Sequence, residues 1–176
     1  MTKKVITRFA PSPTGALHIG AARTALFNFV FSKQKKGSMI LRIEDTDKER
    51  SEKKYEDDIL KSLEWLHIEY SNLYRQSERT DIYHAYITKL VKSKHAYIAE
   101  DGIIRFKNPN KKITFHDLVR GDIEFDTTDL EDFVIARNEH DPLFHLAVVI
   151  DDHEMGVTHL IRGEDHISNT PRQILI

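Results

Sequence analysis

Residues 8–20, RFAPSPTGALHIG, constrain most strongly what this chain can fold into. Val5, Ile6 and Thr7 lead into them as a short apolar strand. Pro11 and Pro13 hold the backbone extended, because proline lacks an N–H and biases the preceding residue away from helix. Gly15 and Gly20 permit tight turns and close approach to a ligand. From Gly20 onward, Ala22, Ala25, Leu26, Phe29 and Val30 recur at one-face helical spacing, which predicts a helix to about Lys33. A strand therefore delivers a glycine-containing loop to a helix N-terminus. Unpaired N–H groups and a partial positive charge make that end a seat for phosphate. His18 can add a donor beside it; read alone, it is a polar loop histidine.

Lys33, Lys35 and Lys36 suit the C-terminal end of the helix dipole, and Gly37 suits a left-handed cap. Residues 38–43 are mostly apolar, as expected of a parallel strand covered on both faces. Strand, helix and strand at this spacing make a βαβ unit. The loop that follows, Glu44 to Asp47, leaves the carboxyl end of that strand, where open α/β sheets hold their ligands. Asp47 reads as a turn former, and either it or Ser51 as a helix cap. Glu44 directly ends an apolar run and is expected beside the loop after the first strand.

Tyr55, Ile59, Leu63 and Leu66 mark a second helix, with Trp65 packing beside its face. Ile82, Tyr83, Tyr86, Ile87 and Leu90 mark a third. From Ala96 short alternating runs separated by turn residues predict small antiparallel hairpins, at 103–106, 113–115, 122–125 and 133–135. The α/β texture returns after Pro142. Residues 144–155 read as a helix ended by Gly156, and residues 157–161 as a parallel strand followed by a loop at Arg162. Thr170 and Pro171 read as the capping residue and first position of a last helix. The expected fold is α/β, a Rossmann-like parallel sheet in two parts, 1–95 and 143–176, around a β-rich connective insert at 96–142.

Composition sets outer bounds. There are no cysteines, which excludes disulfides and thiolate metal sites and fits a reducing cytoplasm. A net charge of −2 means that any nucleic acid must be held by local patches. No run approaches the ~18 apolar residues of a membrane span. The chain enters its first strand directly after Lys4, without a signal-peptide pattern. Asp151, Asp152, His153, His159 and His166 match no metal-ligand spacing, so no metal site is expected. The carboxylates read as caps or turn formers. The GxGxxG fingerprint is absent after the first strand, which argues against a dinucleotide dehydrogenase.

PSPTGALHIG at 11–20 resembles the HIGH-type signature of class I aminoacyl-tRNA synthetases. LRIEDTD at 41–47 and DDHEMGVTHLIRGEDHISNTPRQ at 151–173 resemble the glutamyl-tRNA synthetase branch, in the family's order and spread over nearly all of the chain's length. The resemblance implies ATP-dependent activation of L-glutamate to glutamyl-adenylate, then transfer to tRNA(Glu). ATP would bring magnesium. The implied setting is protein biosynthesis in the cytoplasm, by a monomer. The family's KMSKS-type loop and anticodon-binding part are expected downstream, so this stretch alone is expected to be weak or inactive. In many relatives the connective insert, which faces the tRNA acceptor stem, holds a cysteine-based zinc; here that zinc is excluded.

Glutamate carries two carboxylates and one ammonium, so its site needs two guanidinium-like partners and one carboxylate. Arg8, Glu44 and Arg162 supply that set from strand ends, and arginine's planar fork is the residue for a carboxylate. The bland alternative is an Arg8–Glu44 strand-end ion pair. The resemblance adds Phe9, Ala10, Ser12, Phe144 and Val148 to the glutamate pocket. A tyrosine is commoner at Phe144, so one hydrogen bond of about 0.5–1.5 kcal/mol is lost there. His18 and Gly20 take the catalytic, phosphate-binding role. Pro11, Thr14, Gly15, Gly163, Glu164 and Asp165 complete the implied ATP site.

Three rivals differ in class or substrate. A tRNA-modifying relative would attach the activated glutamate to a base of tRNA(Asp). A glutaminyl enzyme fits APSPTG and RIEDTD less well. A non-catalytic module would keep this half only to hold ATP or tRNA.

Overall fold

In the computed structural model, which describes residues 4–128 and 130–176, the chain divides into two compact units. One runs up to Thr80 and includes Asp151–Glu164; the other comprises Asp81–Ile150 and Asp165–Ile176.

The first unit is built on a parallel sheet in the order β1-β2-β3, with β1 at Ile6–Phe9, β2 at Ser38–Ile43 and β3 at Leu73–Arg75. Arg8 lies opposite Ile40 in the register, and Ile43 opposite Arg75. β2 is central and buried from Met39 to Ile43, as its apolar run requires. Its one charged member, Arg42, is buried with the rest. Helices α1 (Ile19–Gln34) and α2 (Lys53–Trp65) contribute Ala25, Ile59 and Leu63 to a core with Phe9, Met39, Leu41, Ile43 and Ile68.

α1 buries a different face from the expected one. Ala25, Asn28 and Ser32 point inward, while Leu26 is 47% and Val30 49% exposed. Asn28 can be buried because the NH2 of its amide donates to the Thr24 and Ile161 carbonyls, both at 2.9 Å, so its donors meet partners. Gly37 also serves another purpose than a left-handed cap. Lys36 takes the positive φ, +54°, whereas a Cβ on Gly37 would sit 2.2 Å from the Val5 carbonyl oxygen. Trp65 is 80% exposed and adds nothing to the core, which includes Ile68 instead. Glu52, not Asp47 or Ser51, stands at the N-cap of α2.

Residues 157–161 form no strand. The Thr158 and His159 N–H groups both donate to the Ile6 carbonyl, at 2.9 and 3.3 Å. The Thr158 hydroxyl accepts from the Ile6 N–H at 2.9 Å, taking the donor that a ladder would need. Pairing stops after one residue.

The second unit packs most of helices α3 (Thr80–Lys92) and α4 (Phe144–Glu154) with an antiparallel sheet. That sheet has the order β4-β5-β8-β9: Ala96–Ile98, Ile104–Phe106, Phe133–Asn138 and Asp141–Pro142. β6 (Lys112–Asp117) and β7 (Gly121–Asp126) form a separate hairpin. The hairpin pattern read from the sequence is present. Tyr83 and Ile87 of α3 meet Ile104, Phe106, Ile135 and Leu146 in one core. Gly156, at φ +65°, follows α4. A short α5 (Thr170–Leu175) has Asn169, rather than Thr170, as its N-cap.

Candidate active site

The loop after β1 is held by its own backbone. Glu44 donates its N–H to the Pro11 carbonyl at 3.0 Å, and Glu52 does so to Pro13 at 3.0 Å. Leu17 N–H donates to Asp58 Oδ2 at 2.8 Å. Glu44 thus lies beside the loop after the first strand, where its place at the end of an apolar run put it. Pro11 and Ala10 are half-buried; Ser12 and Thr14 face solvent. Gly15 has nothing within 4 Å of a notional Cβ, so no packing demands glycine there.

His18 is the N-cap of α1. Its Nδ1 accepts from the Ala21 N–H at 3.3 Å, so in the neutral ring Nε2 carries the proton and can donate outward. A Cβ on Gly20 would come within 3.1 Å of the His18 ring, which is why glycine lets the imidazole lie across the first turn. An exposed N–H donor at a helix N-terminus is suited to a phosphate oxygen.

Behind the loop lies a network of buried charge within the first unit. Arg8, only 5% exposed, donates through Nε to Asp152 Oδ1 at 3.1 Å. Arg42 donates to the same oxygen at 2.7 Å and to Glu44 Oε1 at 3.2 Å, and its Nε is 3.7 Å from Asp151 Oδ2. Asp151, fully buried, also accepts from Gln76 at 2.8 Å and from Arg79 at 2.7 Å. Three guanidinium groups thus face three carboxylates, the pairing that burial of charge demands. The simple Arg8–Glu44 strand-end ion pair is replaced by Arg8–Asp152 and Arg42–Glu44 pairs, because Arg42 lies between them on β2.

Burial pushes the Glu44 carboxyl above its usual range, against the pull of Arg42 and Arg8. Burial pulls the Arg42 guanidinium down, but Asp152, Glu44 and Asp151 together outweigh it and hold it above the usual value.

Arg8, Phe9 and Glu44 are thereby gathered at the ends of β1 and β2. Arg162 and Gly163 are half-buried in the same unit, after Ile161, whose carbonyl is tied to Asn28; Glu164 is exposed. Phe144, Val148 and Asp165 belong to the second unit. Phe144 opens α4 at 38% exposure, its ring edge-on to His145 at 5.4 Å; Val148 is buried, and Asp165 is exposed. The sequence reading missed Arg42 and misread Asp151 and Asp152 as caps or turn formers. Both aspartates are arginine partners. The signal was available: an arginine inside an otherwise apolar central strand must find carboxylates.

Comparisons with known proteins point in one direction. The family model for tRNA synthetases class I (E and Q), catalytic domain, matches residues 4–102 and 99–176. The glutamate–tRNA ligase of Aquifex aeolicus is 45% identical over 216 residues, taking in 98% of this chain and 46% of that protein. Glutamate–tRNA ligase 1 of Petrotoga mobilis is 48% identical, with 96% of this chain and 43% of that protein covered. A crystal structure of a glutamate tRNA ligase from Elizabethkingia meningosepticum, in complex with its amino acid, superposes with a TM-score of 0.91 at 33% identity. It covers 98% of this chain and 46% of that one. The chain spans about half the length of the curated relatives it matches. The two stretches of the family match meet at 99–102, in the connection between β4 and β5.

Proposed function

Since the chain belongs to the class I tRNA synthetases of the E and Q type, as part of the catalytic domain, we propose that it serves the activation of L-glutamate with ATP and its transfer to tRNA(Glu). The observation that carries this reading is the buried network of Arg8, Arg42, Glu44 and Asp152 beside the loop that ends at His18, the N-cap of α1. Arg8 and Arg162 take the two glutamate carboxylates, and Glu44 takes the ammonium. Phe9, Ala10 and Ser12 line the approach. His18 and the first turn of α1, freed by Gly20, hold ATP phosphates above Pro11, Thr14 and Gly15, while Gly163 and Glu164 meet the adenosine. Phe144, Val148 and Asp165 keep the roles that their family positions imply.

An α-carboxylate oxygen of glutamate attacks the α-phosphorus, a P–O bond forms, and pyrophosphate leaves with the bonding pair. The terminal ribose hydroxyl of tRNA then attacks the acyl carbon, and AMP leaves. No protein nucleophile is needed; the residues position the reactants and offset charge on phosphate oxygens. Magnesium would accompany the ATP phosphates. Residues 96–142 serve as the connective module facing the acceptor stem. A cytoplasmic setting accords with this reading. Among the described residues, no helix is long and apolar enough to cross a membrane.

Calorimetry with a non-hydrolysable glutamyl-adenylate analogue, and its glutaminyl counterpart as control, tests the proposal. Binding of the glutamyl form alone, with the preference lost in Arg162→Ala, is expected. A folded chain that binds neither analogue would overturn it.

A further inference from the structure

We propose that His84, Glu139 and His140 form a binding site for a divalent first-row transition-metal ion, zinc above all, on the second unit. One donor atom from each of the three lies within 4.8 Å of the others. His84 projects from α3, and Glu139 and His140 form the turn between β8 and β9. That turn is set before any ion arrives: Asn138 Oδ1 accepts from the His140 N–H at 2.9 Å, and Arg137 pairs with Asp141 at 3.1 Å.

His84 Nδ1 lies 3.2 Å from the Glu139 carbonyl oxygen. A carbonyl can only accept, so Nδ1 carries the proton and Nε2 keeps its lone pair for a metal. A backbone acceptor on the far nitrogen is the usual arrangement behind a ligating histidine. The His84 and His140 rings stack with centroids 4.6 Å apart and 17° between their planes, which brings two imidazoles to one place. Two imidazoles and one carboxylate are the donor set of zinc and its neighbours rather than of magnesium or calcium. A tetrahedral ion holds such ligands at roughly 2.0–2.1 Å, so the three side chains must close by about 1–2 Å around it. Glu139 and His140 are exposed, which leaves room for that closure. Water would complete the coordination.

The site requires no cysteine, and it stands independently of the glutamate reading. Its test is calorimetric titration of the chelator-stripped 176-residue chain with zinc near neutral pH, with magnesium in a parallel cell. Cobalt(II) absorption supplies a second readout of nitrogen coordination. With ten histidines in the chain, the site must be assigned by variants. His140→Ala and Glu139→Gln, both at exposed positions, should each weaken zinc about tenfold or more. His84→Ala should abolish the cobalt band with the fold intact by circular dichroism. Zinc affinity unchanged in the His84→Ala/His140→Ala double variant, or magnesium bound equally well, would overturn the proposal.

Discussion

Arg42 meets Asp152 at 2.7 Å, and the arginine side chain in that pair is entirely shielded from water. Two strands and the end of α4 depend on it, because Asp152 Oδ1 also receives Arg8. Removing one partner leaves an uncompensated charge, which costs far more than the pair contributes over an apolar substitute. Arg42→Met should therefore destabilise the chain by about 3–5 kcal/mol in chemical denaturation. Combining it with Asp152→Asn should cost less than the two single changes added together. Strict additivity would show that the pair is not coupled.

Glu44 and Glu56 should give opposite pH signatures. Burial raises the Glu44 carboxyl, so the folded state holds its proton more tightly than the unfolded state does. Its contribution is fully present below the ordinary carboxylate range and is lost as pH rises through the raised value. Hydrogen bonds from Arg75, at 3.0 and 2.7 Å, lower the Glu56 carboxyl. That contribution is present above the ordinary range and is lost as pH falls through the lowered value. Denaturation across acid pH should show Glu56→Gln flattening the acid limb. Glu44→Gln should remove a decline on the rising side.

Gly37 and Gly15 separate packing from habit. A Cβ at Gly37 meets the Val5 carbonyl oxygen at 2.2 Å, where β1 and β2 begin to pair. Gly37→Ala should cost about 3 kcal/mol, the upper part of the range for overpacking. Gly15→Ala, with open space around it, should stay within about 0.5 kcal/mol of the parent. Thermal denaturation of the two variants side by side checks both figures.

His18 combines a cap and a phosphate donor, and the two can be parted. Asparagine also caps well, so His18→Asn should leave stability within about 0.5 kcal/mol while removing the outward N–H. Binding of a non-hydrolysable ATP analogue should then fall about tenfold. Equal binding by both forms would limit His18 to capping.

The sequence alone determined those features that depend on neighbours along the chain. The loop of residues 8–20 between strand and helix, the apolar second strand and the hairpins after Ala96 follow from periodicity and turn chemistry, which are local. The motifs placed the family as well. Tertiary structure decided which polar groups could be buried. Arg42 is tolerable in a central strand only because Asp151 and Asp152 arrive from more than a hundred residues away. Asn28 displaces Leu26 from the inner face of α1 because Ile161 offers it a carbonyl. Thr158 stops a strand that its apolar neighbours suggested, by capping Ile6 with its own hydroxyl. His84 and His140 stack only once α3 has packed against β8. Burial of a charge or an amide depends on partners distant in sequence, and no local pattern records them.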